Sequence, residues 1–160
     1  GIRADFHMMY RHPGPAAKAV VEHKPNLIIV HAEADGDFNM FADFCQKRGV
    51  KTGIALLPET PPEVILPGLH LIDHVLIFSG SLGKYGGRAN LDLLGKIPGL
   101  KEARPELEIG WDGGINDQNI SALVSGGVDV LNVGGYIQNS DNPSKAVKTL
   151  QRIADETGTT

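Results

Sequence analysis

A single cysteine, Cys45, is the only thiol in the sequence, so no internal disulfide can staple the fold. Phe41 and Phe44 accompany it in a helical pattern, which places the thiol on a buried helix face rather than at a reactive position. Positive charge is also short: 15 Lys and Arg stand against 19 Asp and Glu, for a formal net charge of -4. Nucleic acid, whose phosphates demand a basic face, is therefore not an expected partner. No apolar run approaches the roughly 18 residues of a membrane span, and no signal peptide is read ahead of the first strand. The expectation is a protein with no membrane partner and a cytoplasmic location. Hairpin signals, linkers and low-complexity segments are missing too, so residues 1–160 read as one domain.

What is there alternates in type. Ala4-Asp5-Phe6-His7-Met8-Met9-Tyr10 is strand-like, and Pro13-Gly14-Pro15 opens a helix to about Glu22. Asn26-Leu27-Ile28-Ile29-Val30 is an apolar run of the kind buried on both faces, followed by His31-Ala32-Glu33 and a helix carrying Phe38, Phe41 and Phe44 to Gly49. Strands follow at 52–57 and 74–78, the first closed by Pro58 with a helical stretch from Pro61-Pro62, the second running into a glycine-rich loop and a helix from about Asn90 with a break near Pro98-Gly99. A strand ending at Asp112, a helix over 116–125, a strand over 128–133 and a terminal helix from Asn142-Pro143 to about Glu156 complete six βα units. Such units build a parallel sheet, either open and doubly wound or curled into a barrel. His7, His31, Glu33, Ser79, Asp112 and Gly134 all fall at or just beyond strand C-termini, where both architectures place their sites.

The stretch Glu108-Ile109-Gly110-Trp111-Asp112-Gly113-Gly114-Ile115-Asn116 concentrates the chemistry. A carboxylate at a strand end, followed by backbone without side chains and by Asn116 as a helix N-cap, points Asp112 into a cleft beside free N–H groups. The bland alternative is a tight turn in which Asp112 bonds its own loop. Three successive units bring glycine to this end: the loop 79–88 with Gly86 and Gly87, then Gly113-Gly114, then Gly134-Gly135. Their N–H groups can surround a phosphate without steric obstruction. Lys84 and Arg88 either assist or are solvated loop cations.

In this order the residues resemble the ribulose-phosphate 3-epimerase family of phosphate-binding (β/α)8 barrels. Asp5-Phe6-His7-Met8-Met9 is similar to that family's Asp-x-His-x-Met strand, and His31-Ala32-Glu33-Ala34 to its His-x-Glu-Ala segment. The stretch 53–61, the run Leu76-Ile77-Phe78-Ser79 with Gly86-Gly87, and Asp112-Gly113-Gly114 continue the series. The resemblance implies a TIM-type barrel and a metal-assisted transfer of a proton at C3 of a ketose phosphate, ribulose 5-phosphate to xylulose 5-phosphate. It implies Asp112 as a catalytic carboxylate and metal ligand, His7 as a second ligand, and Met9 and Ser79 as groups packing on the substrate. The metal would be divalent, zinc in the first instance.

The chain also departs from the family. The family barrel has eight strands, and the Asp-x-His-x-Met strand is its third, so the sequence reads as a barrel lacking the first two βα units. A second metal histidine and the other catalytic carboxylate belong to those units, which leaves two of four expected ligands. Gly134-Gly135-Tyr136 stands where the family shows Gly-Ser, and Leu82 stands for a proline. His31 and Glu33 read as residues that support the site or its loops. Two exposed sheet edges predict a homo-oligomer. The alternative function is a non-catalytic phosphosugar-binding barrel that keeps the phosphate loops without the full acid–base and metal set.

Overall fold

The computed structural model describes residues 3–80, 82 and 87–158. Six strands, β1 (Asp5–Met8), β2 (Leu27–His31), β3 (Lys51–Leu56), β4 (His74–Phe78), β5 (Glu108–Asp112) and β6 (Val130–Asn132), form one sheet in the order β1-β2-β3-β4-β5-β6. Every neighbouring pair is parallel. A sheet wound in sequence order, with each crossover of the same hand, keeps its helices on one face and curls toward a barrel. The doubly wound alternative, which needs a reversal of strand order, is thereby excluded.

Strand alternation sorts the side chains between two cores. Ile28, Val30, Ile54, Leu56, Val75, Ile77, Ile109 and Trp111 join the larger cluster beneath the helices. Leu27, Ile29, Ala55 and Leu76 form a separate buried cluster on the inner face. The helices are α1 (Gly14–Val21), α2 (Phe38–Gln46), α3 (Ile97–Ala103), α4 (Ile120–Ser125), α5 (Gly135–Gln138) and α6 (Pro143–Gly158). Asp37 caps α2, accepting from the N–H groups of Asn39 at 2.8 Å and Met40 at 3.2 Å. Cys45 is fully buried in α2, and burial pushes its thiol up to about 11.

Several boundaries differ from expectation, each for a local reason. The helix expected from Asn116 begins at Ile120. Asn116 instead folds an Asx turn, its Oδ1 accepting from Gln118 N–H at 2.9 Å while its own N–H donates to Asn119 Oδ1 at 2.9 Å. Pro61-Pro62 and Asn90 open 3-10 helices, Pro62–Leu71 and Leu91–Lys96, rather than α-helices. In the first of these, Pro67 lies inside the element and cannot donate to a helical ladder. Pro98 does not break a helix but sits in the first turn of α3, where its missing N–H costs nothing. The short α5 follows Gly134 without having been anticipated.

Candidate active site

Asp112 ends β5 on the inner face, paired across the ladder with Phe78 and Asn132. It opens into a cleft of about 940 Å³ at the C-terminal ends of the strands. Met9, Gly87, Gly113, Gly114, Gly134 and Gly135 line the same cleft, so most of the residues singled out in the sequence meet there. Gly86 and Lys84 lie outside the described residues. Ser79 is buried beside the cleft, and its Oγ accepts from Asn90 N–H at 2.7 Å, which ties the loop after β4 to the following helix.

The two glycines after Asp112 are there because nothing larger fits. Gly113 has φ +121°, and a Cβ on it would lie 2.6 Å from Gly80 N. Gly114 has φ +71°, and its Cβ would run into the backbone of Arg88 and Ala89. Side chains are thus excluded twice, by dihedral and by the loop pressed against the turn. Trp111, fully buried on the helix side, donates its Nε1–H to Gly113 O at 3.0 Å and fixes the same turn.

Beside Asp112 lies a pair of histidines. His7 Nδ1 is 3.6 Å from Asp112 Oδ2, and His7 Nε2 meets His31 Nε2 at 2.8 Å. His31 Nδ1 points toward Glu33 Oε2 at 3.4 Å. Phe78 sets its ring edge-on against both imidazoles, with centroids 5.7 Å away in each case. Burial and then the neighbouring His7 lower the His31 pKa, against the opposing pull of Glu33 and Asp112. His7 is not itself part of the cleft wall; it reaches the cleft through Asp112. Sequence reasoning passed over Phe78, Asn132 and Lys145, which also line the cleft. Alternation along β6, with Val130 level with Gly110, places Asn132 inward beside Asp112, whereas nothing in the sequence marks Lys145.

A divalent metal would find two converging donors here, His7 Nδ1 and the Asp112 carboxylate. Among the described residues no third His, Cys, Asp or Glu joins them. Three protein ligands are the usual minimum for a catalytic zinc, so this donor set does not hold the ion by itself. No helix among the described residues is long and apolar enough to cross a membrane.

A parallel β/α sheet curled as part of a TIM-type barrel, with one carboxylate and successive glycine turns at its C-terminal end, defines the class of this protein. A family profile described as the ribulose-phosphate 3 epimerase family matches residues 1–138, and the chain belongs to that family of enzymes. It is 34% identical over 157 residues to the ribulose-phosphate 3-epimerase of Helicobacter pylori, covering 95% of this chain and 72% of the relative. To the ribulose-phosphate 3-epimerase of Schizosaccharomyces pombe it is 27% identical over 147 residues, covering 92% of this chain but only 64% of the relative. Among solved structures, 3-keto-L-gulonate-6-phosphate decarboxylase from Vibrio cholerae superposes with a TM-score of 0.71 at 14% identity, covering 96% of this chain and 72% of the other. That likeness concerns the fold.

Proposed function

We propose that the chain carries the proton-transfer and phosphate-binding half of a ribulose-phosphate 3-epimerase site. The observation that carries this reading is the Asp112 carboxylate opening into a cleft walled by Gly87, Gly113, Gly114, Gly134 and Gly135. Family membership supports a ketose phosphate as the substrate class, and in this reading ribulose 5-phosphate and xylulose 5-phosphate are the exchanging pair. The solved structural neighbour, whose name gives it a keto sugar-acid phosphate as substrate, supports a phosphorylated sugar as the ligand of this fold.

In this reading the phosphate lies against the glycine N–H groups of these turns, which places the sugar carbons toward Asp112. The Asp112 carboxylate takes the proton from C3 to give an enediolate, and a proton from solvent returned to the opposite face inverts that carbon. Met9, half exposed at the mouth, covers the sugar, and buried Ser79 holds the loop behind it. A divalent metal, zinc in the first instance, would take His7 and Asp112 as ligands and neutralise charge on the sugar oxygens. These two donors alone fall short of holding the ion, and the proton transfer falls to the Asp112 carboxylate. Among the described residues β1 and β6 are the outer strands of the sheet, which supports self-association.

The test is Asp112→Asn, assayed for conversion of ribulose 5-phosphate and for binding of ribose 5-phosphate. Losing a positioned general base costs about 10²- to 10⁴-fold in turnover. The reading requires that loss with binding retained. Equal behaviour of variant and parent, or binding without turnover in the parent, favours the phosphosugar-binding barrel instead.

A further inference from the structure

The histidine pair poses a bonding question that the epimerase reading does not answer. Two neutral imidazoles whose Nε2 atoms are 2.8 Å apart must share a single proton between them. One tautomer has His31 Nε2–H donating to His7, which leaves a bare His31 Nδ1 lone pair against Glu33 and puts an N–H on His7 Nδ1. The other has His7 Nε2–H donating to His31, which frees a proton on His31 Nδ1 for Glu33 and leaves the His7 Nδ1 lone pair facing Asp112.

The surroundings separate the two. Among the described residues His31 Nδ1 is fully buried without a hydrogen-bond partner, and the acceptor it faces is Glu33 Oε2 at 3.4 Å. A bare lone pair on this buried nitrogen would face the carboxylate with no donor of its own, whereas an N–H there meets an acceptor. The other Glu33 oxygen, Oε1, is committed, accepting from Leu57 N–H at 3.2 Å and from the Thr60 hydroxyl, so the carboxylate is held in place. At the other end His7 and Asp112 are 3.6 Å apart, and Asp112 is open to the cleft, where solvent or ligand can answer a lone pair. Phe78 packs against both rings and opposes their rotation.

We propose that Glu33, acting through His31, is a positioning residue that fixes His7 as its Nε2–H tautomer with the Nδ1 lone pair turned to Asp112. The proposal rests on the reading of the Asp112 cleft as the reacting site for its significance, but its test does not involve turnover.

That test is the tautomeric state of the two rings, read by long-range proton–nitrogen NMR on nitrogen-15 labelled protein where both imidazoles are neutral, with His7→Gln used for assignment. The expected result is His7 protonated on Nε2 and His31 on Nδ1. In Glu33→Gln the amide oxygen keeps the Leu57 and Thr60 donors, which turns the amide NH2 toward His31 Nδ1, and both tautomers reverse. A parent protein with the proton on His7 Nδ1 overturns the proposal, as does a folded Glu33→Gln protein with both tautomers unchanged. Should Glu33→Gln fail to fold, the parent spectrum alone decides. Loss of turnover in Asp112→Asn with the opposite tautomers would keep the functional reading and discard this one.

Discussion

Asp73 and Asp129 stand just before β4 and β6, and Asp112 stands at the end of β5, yet the three carboxylates are used differently. Asp73 Oδ2 accepts the N–H of Thr52 at 2.8 Å. Asp129 Oδ2 accepts the N–H of Ile109 at 2.8 Å and the Lys101 ammonium at 2.9 Å. Each clamps the start of the preceding strand to the loop that begins the next. At the opposite end Asp112 meets His7 only at 3.6 Å and faces a cleft, followed by the Gly113-Gly114 turn that admits no side chain. One end of the sheet uses its carboxylates to hold strands together; the other leaves one available to a ligand.

The contrast can be broken from either end. The largest effect after Asp112→Asn is expected from Gly114→Ala, whose methyl group would enter the backbone of Arg88 and Ala89 at positive φ. Strain of this kind costs about 1–3 kcal/mol. Forced out of place, the loop should weaken binding of inorganic phosphate about tenfold or more by calorimetry. An alanine that binds as well as glycine would separate the turn from the phosphate site.

Asp129→Ala acts on the other end. It strands the Ile109 N–H and removes the partner of Lys101. A loss of about 1–3 kcal/mol in chemical denaturation is expected, with phosphate affinity unchanged. An affinity that falls along with stability would mean the two ends are coupled.

The smallest effect concerns neither end. The Cys45 thiol, raised from 9.0 to about 11 by burial, must stay protonated in the fold while the unfolded chain ionises first. The unfolded state then binds fewer protons, so stability falls as pH rises through that window. The expected loss is about 1 kcal/mol between about pH 9 and 10, measured by urea unfolding, and it disappears in Cys45→Ala.

Much of the site was legible in the sequence because glycine and aspartate at strand ends have few other uses. β4 and β5 fall where the apolar runs placed them, and Asp112-Gly113-Gly114 forms the turn expected of it. Helix starts were less legible. Asn116 and Asn119 satisfy each other in a turn, and the prolines at 61 and 62 lead into a 3-10 helix, outcomes that residue preference alone does not separate from an α-helix. Both histidines were placed at strand ends by the sequence, but their contact with each other was not legible. His7 is level with Ile29 in the ladder, so its approach to His31 depends on the lean of both side chains across β1 and β2. Glu33 reads in the sequence as a residue that supports the site or its loops, and its bonds to Leu57 and Thr60 show which loop it holds.

The most direct test of the site as a whole is proton exchange at C3. The chain is incubated with ribulose 5-phosphate in heavy water, zinc supplied, and the sugar phosphate is examined by NMR. The proposed site predicts xylulose 5-phosphate carrying deuterium at C3. A phosphosugar that binds in the cleft but keeps its C3 hydrogen would contradict it.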